Sequence, residues 1–181
     1  MSIYRNLNTG RIASLPWRVR MPDGSTRTDP AQWASDLDAL AAAGFAVTER
    51  TAEDDAYDAD QAIAAAKIAK TAEIDAAWSA QVTAGWTPPG ENYALGIDVA
   101  DVTLLLGAYT LARDAANLGL PDEVAIIDKA GGSHAYNAQT ITPLMLQYGA
   151  ARAALSAGDA AKRQAVANAT TLDEVNAIEV T

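Results

Sequence analysis

The sequence predicts an α+β protein: a small N-terminal β-β-α-β module, then a mainly helical C-terminal domain with two short β-hairpins. Three observations lead there. The chain is rich in alanine, which loses no side-chain entropy on entering a helix and lets helices approach closely. Period-two alternation is confined to short stretches bounded by proline, glycine or aspartate, whereas longer stretches carry apolar residues at helical spacing. With 181 residues, half of them apolar and a fifth charged, there is room for a small unit and a second of about a hundred residues.

In "LPWRVRMPDGSTRTDP" the residues Trp17, Val19 and Met21 alternate with Arg18 and Arg20, and Pro22-Asp23-Gly24 is a turn signal, so a hairpin is expected. Asp29 then reads as an N-cap with Pro30 at the first helical position. Trp33, Leu37 and Leu40 recur at helical spacing until Gly44, and "FAVTE" reads as a short strand. These elements make a module over residues 1 to 50. Residues 51 to 60, "TAEDDAYDAD", carry five acids and read as an acidic linker running into a helix start.

The third segment spans residues 61 to 181. The helix-forming stretch from Ala59 to Val82 sets Ile63, Ala66, Lys70, Ile74, Ala77 and Trp78 on one narrow face and breaks at Gly85. "GWTPPGENYALGID" reads as a short hairpin or ordered loop. Asp98 caps the next helix and Gly119 stops it. Its stripe of Val102, Leu105, Leu106 and Tyr109 is widened by Leu104 and Leu111, which predicts the most buried element, at the centre of three longer helices. "EVAIID", "KAGGS" and "HAYN" give a second hairpin, with Gly131 and Gly132 supplying positive φ angles. Thr142-Pro143 then starts a helix on which Leu144, Tyr148, Ala151 and Leu155 share a face, with an interruption at Gly158. Last, Thr171 and Glu174 match a capping box ahead of Val175 and Ile178.

A formal charge of -10 argues against a nucleic-acid partner, whose phosphates demand a clustered basic surface. The charge is uneven. Residues 1 to 28 hold Arg5, Arg11, Arg18, Arg20 and Arg27 against Asp23 alone, which nominates these five arginines for docking to an acidic neighbour or to another copy of the chain. There is no cysteine, so disulfides, thiolate zinc sites and cysteine nucleophiles are excluded. The first residues lack the uninterrupted apolar stretch of a signal peptide, and no run approaches the about 18 apolar residues that span a bilayer. A soluble protein made in a cytoplasm, with no membrane partner, is expected.

Ser133 and His134 invite a hydrolase reading, but adjacent side chains on a strand point to opposite faces and no G-x-S-x-G elbow surrounds them. His134 is therefore expected to flank a turn, without a base or metal partner. The acids Glu53, Asp54, Asp55, Asp58 and Asp60 lack the glycine and spacing of a calcium-binding EF-hand loop. Nucleotide and zinc signatures are missing as well. Trp86, Tyr93 and Tyr136 could form a carbohydrate platform, although aromatics near strand turns more often cap a helical core. Hence no catalytic, cofactor-binding or metal-binding residue is assigned, and no cofactor is expected.

From Ala66 to the C-terminus the order of elements resembles a domain of unassigned function found in bacteriophage tail proteins. "AKIAKTAEIDAAWSAQVTAGW" is similar to its opening lysine- and alanine-rich helix and the strand that follows. "GSHAYNAQTITPLML" resembles its strand-turn-strand-helix segment, and "NATTLDEVNAIEV" its closing helix. "TPPGENYALGID" departs from the more usual polar turn, and the N-terminal module resembles, more weakly, the small modules that precede this domain. The resemblance implies a structural, non-enzymatic tail or baseplate component of the virion, made in the host bacterial cytoplasm, that connects or supports tail fibres. Its partners would be other tail, baseplate or fibre proteins, or a further copy of itself. The alternative it implies is a tail-fibre assembly chaperone absent from the mature particle.

Overall fold

The computed structural model describes residues 3–16, 18–21 and 24–180. The protein is α+β, with a small strand-and-helix N-terminal part and a mainly helical C-terminal part. It divides into two compact units, Met1–Ala62 and Ile63–Thr181.

The first unit contains β1 (Ile3–Asn6), β2 (Arg18–Arg20), β3 (Thr26–Thr28), α1 (Pro30–Trp33), α2 (Leu37–Ala42) and β4 (Phe45–Thr48). β2 and β3 form the expected antiparallel hairpin, Arg18 opposite Thr28 and Arg20 opposite Thr26. Trp17 and the turn residues Pro22 and Asp23 lie outside the described residues. β4 does not join that hairpin. It pairs antiparallel with β1, a strand the sequence reading missed, Ile3 opposite Thr48 and Asn6 opposite Phe45.

Asp29 caps α1 by accepting from the Ala31 N–H, with Pro30 at the first position as expected. The helix does not run on to Gly44, because Asp36 accepts from the Ala39 N–H and caps a new helix, α2. That break turns Leu37 outward to 68% exposure, while Trp33 and Leu40 stay at 1% each. Around Trp33 and Leu40 the core holds Met21, Ala39 and Phe45.

Residues 51 to 60 are not a linker. α3 (Ala52–Ala84) begins there, because Thr51 and Asp54 cap each other: the Asp54 N–H donates to Thr51 Oγ1 and the Thr51 N–H to Asp54 Oδ2. Glu53, Asp54 and Asp55 occupy its first turn, where the helix dipole favours anions.

In the second unit α3 continues with Ile63, Ala66, Lys70, Ala77 and Trp78 partly buried and Ile74 at 1% exposure, the face the sequence predicts. Then come α4 (Val99–Asn117), β5 (Val124–Ile127), β6 (Ser133–Tyr136), α5 (Ala138–Asn168) and α6 (Leu172–Asn176). The expected first hairpin is a single antiparallel bridge between Trp86 and Leu95, and the second is the β5–β6 pair. α5 starts one turn before Thr142: the Asn137 side chain accepts from the Thr140 N–H and Thr140 Oγ1 from the Asn137 N–H, which leaves Pro143 inside the helix. Gly158 does not interrupt it. The Thr171–Glu174 capping box opens α6 as expected and sets Val175 at 0% exposure.

The core of this unit gathers Leu95, Ile97, Leu105, Ala112, Val124, Ile126, Ile141, Leu144 and Tyr148. Tyr148 donates its hydroxyl to the Gly96 carbonyl at 2.8 Å, satisfying a polar group of the connecting loop. α4 is not the most buried element. Only Leu105 and Ala112 of α4 are buried, Tyr109 is half-buried, and Leu104, Leu106 and Leu111 are exposed, because α4 is covered on one side by α5 and β5. α5 buries four residues, Ile141, Leu144, Tyr148 and Val166.

The contrast between neighbours on α4 is testable. Leu105→Ala is expected to cost about 2–5 kcal/mol and lower the melting temperature. Leu104→Ala, one position away, should stay within about 0.5 kcal/mol of the parent in a chemical denaturation series.

Candidate functional site

The β5–β6 turn is organised by Asp128. Its Oδ1 accepts from the Ala130 and Gly132 N–H groups, both at 2.8 Å, and its Oδ2 lies 2.7 Å from His134 Nε2. Of the two glycines, Gly131 alone has a positive φ, 86°. Gly132 is required for another reason: a Cβ there would approach Asp128 Oδ2 to 2.6 Å. The hydrogen bond to His134, then that from the Gly132 N–H, hold the Asp128 carboxyl below its ordinary pKa. A depressed carboxyl contributes stability above the ordinary carboxylate range, and the contribution is lost as pH falls through the lowered value.

His134 is thus not the partnerless residue the sequence suggests. Its ring stacks on Tyr93, centroids 3.6 Å apart at 19°, and the Tyr93 hydroxyl bonds that of Tyr136. Burial, followed by the Tyr136 bond, raises the Tyr93 pKa. Ser133 is exposed and His134 partly buried, in keeping with strand alternation, and no hydrogen bond joins the two among the described residues. Trp86 takes no part in this cluster. It packs edge-on against Tyr148, centroids 5.6 Å apart, while Tyr93 and Tyr136 pack against the core.

Tyr93, His134 and Tyr136 line a groove of about 670 Å³ together with Pro88, Pro89, Glu91, Gln139, Thr140 and Gln147. Such a surface offers apolar rings, amides and hydroxyls, and its histidine is bound to a carboxylate that already serves the turn. His134→Ala should destabilise the protein by about 0.5–1.5 kcal/mol through loss of the stacked pair. Amide exchange across residues 124–136 would register it, with faster exchange expected there and none in α3.

The five nominated arginines separate into two groups. Arg5 donates to both carboxylate oxygens of Asp54, at 3.1 and 2.6 Å, and to the Gly10 carbonyl. Arg11 lies over the Tyr57 ring at 4.1 Å and 3.6 Å from Glu53, and Arg27 lies 3.5 Å from Asp36. Arg50, which was not nominated, bridges Asp55 and Asp58. Arg18 and Arg20 differ: both are exposed, on the same face of β2, with no ion-pair partner among the described residues. Much of the N-terminal positive charge is therefore spent on the acids at the start of α3.

The Asp54 side chain is 4% exposed. The hydrogen bond from Arg5, then those from Thr51, hold its carboxyl well below the usual range. Its contribution to stability is full above the unfolded carboxylate value of about 4 and is lost as pH falls below it. Amide protection in residues 3–48 should therefore weaken between neutral pH and acid, and Arg5→Leu should flatten that dependence.

A third feature is apolar. Leu104 and Leu111 of α4 and its C-cap residue Leu118 are 74%, 64% and 74% exposed at seven-residue spacing. The spacing is visible in the sequence, but there Leu104 and Leu111 read as a widening of the buried stripe. Among the described residues no group of three or more His, Cys, Asp or Glu could hold a metal ion, and no helix is long and apolar enough to cross a membrane. The chain matches no protein-family model, no curated protein and no solved structure.

Proposed function

We propose that the chain is a structural, non-enzymatic component of a bacteriophage tail or baseplate that connects or supports tail fibres. The resemblance of the segment from Ala66 onward supplies the tail context. The observation that carries the docking role is the pair Arg18 and Arg20, exposed side by side on one face of a short hairpin strand while Arg5, Arg11 and Arg27 are engaged by acids of their own unit. Two guanidiniums with no ion-pair partner among the described residues suit an acidic protein surface, because Arg presents a planar fork to carboxylates and loses little freedom on pairing.

A non-enzymatic reading is supported by the only histidine: its ring is held by Asp128 and Tyr93, and Ser133 stands on the other face of the strand. Mass spectrometry of purified particles tests the proposal. Stoichiometric presence is the expected result. Consistent absence from particles that carry fibres would overturn it and is the result a fibre-assembly chaperone would give.

A further inference from the structure

We propose that a second copy of this chain packs antiparallel against the exposed stripe of α4, with Leu111 of each copy seated in the groove between α4 and β5 of the other. Leu104, Ala108, Leu111, Ala115 and Leu118 fall at i, i+4, i+7, i+11 and i+14, the spacing of a helix-pairing seam. Leucine and alanine alternate along it. Two such helices related by a two-fold axis set Leu104 opposite Ala115 and Leu111 opposite Ala108, a large side chain against a small one in each of the four central layers, while Leu118 lies at the rim opposite Asp101.

The recess is already present. Beside Ala108 lies a groove of about 200 Å³ whose wall includes Leu104, Ala125 and Ile127. Ile127 is itself 60% exposed. A leucine from the facing helix at the Ala108 layer enters this groove and covers Ile127. The same patch serves as knob and as recess, so the contact is self-complementary and closes at two copies.

Area and charge agree with this occupant. Four side chains that are each more than half exposed, at about 100 Å² for a fully covered leucine, give an apolar centre of about 300 Å² per copy. With a polar rim that suits a standard interface of about 800 Å² per partner. α4 carries Asp101, Arg113 and Asp114, and Arg113 is paired with Asp114 at 2.9 Å. In a chain of charge -10, a nearly neutral face is where two copies approach at least electrostatic cost. The inference stands independently of the tail reading.

Sedimentation velocity on the full chain up to about 100 µM tests it, with a concentration-dependent dimer expected. Leu111→Ser, which removes two contacts per dimer, should weaken association at least about tenfold, and Leu106→Ser, on the other side of the helix, should leave it unchanged. Both positions are exposed, so unaltered melting curves show that the variants fold. The chain has no cysteine, which makes introduced thiols unambiguous. In the antiparallel register the two copies of position 111 are offset by about 4.5 Å along the axis and those of position 104 by about 16 Å. A short bis-maleimide should therefore join Leu111→Cys chains and not Leu104→Cys chains. A monomer throughout the range, a dimer indifferent to Leu111→Ser, or efficient joining through Leu104→Cys would each overturn the proposal.

Discussion

Trp33→Ala is expected to unfold the N-terminal unit while α5 keeps its protection. Trp33 is 1% exposed in a core that, among the described residues, buries it with Met21, Ala39, Leu40 and Phe45. Removing a buried aromatic of this size costs about 3–5 kcal/mol, and a unit of some sixty residues buries too little surface to absorb that. The second core, built on Ile141, Leu144 and Tyr148, shares no residue with the first. Hydrogen exchange read peptide by peptide should find residues 3–48 unprotected in the variant and residues 141–166 as slow as in the parent. Equal loss in both segments, or in neither, would contradict the division into two cores.

The second large effect is expected from reversing charge at Arg18 and Arg20 together. A single rim charge tunes association and its salt dependence, and one substitution leaves a neighbouring guanidinium to compensate. Changing both to glutamate replaces attraction by repulsion at an acidic partner. The fold should tolerate it, since the flanking pairs Arg18 with Thr28 and Arg20 with Thr26 are backbone ladder pairs and both arginine side chains are exposed. Incorporation into particles is expected to fall to background, with circular dichroism unchanged. Reversing Arg27 instead should act differently, because its neighbour Asp36 caps α2.

What the sequence made legible was local. The caps at Asp29, Asp98 and Thr171 depend on a side chain reaching a backbone N–H two or three residues away, and each stands where the pattern puts it. The buried face of α3 is legible for a similar reason, since periodicity alone selects Ile63, Ala66, Lys70 and Ile74. Competing local signals misled. Thr142-Pro143 looks like a helix start, but Asn137 and Thr140 form a reciprocal cap five residues earlier and prevail.

Features that depend on distant partners were not legible. Nothing near Arg5 distinguishes it from Arg18, because what occupies it, Asp54, lies 49 residues away. β4 finds β1 across most of the first unit. Leu104 and Leu105 are the same residue type side by side, and which one is buried depends on where β5 and α5 lie. His134 and Asp128 are only six residues apart, yet their contact exists because the turn doubles back at Gly131 and leaves room at Gly132.

The most direct test is to quantify this chain by mass spectrometry in particles assembled with the parent protein and with the Arg18→Glu, Arg20→Glu variant, expressed at equal levels. The account predicts a fixed copy number per particle for the parent and background for the variant, with fibres reduced in parallel. Normal amounts of the doubly reversed protein in particles, or none of the parent in particles that bear fibres, would contradict it.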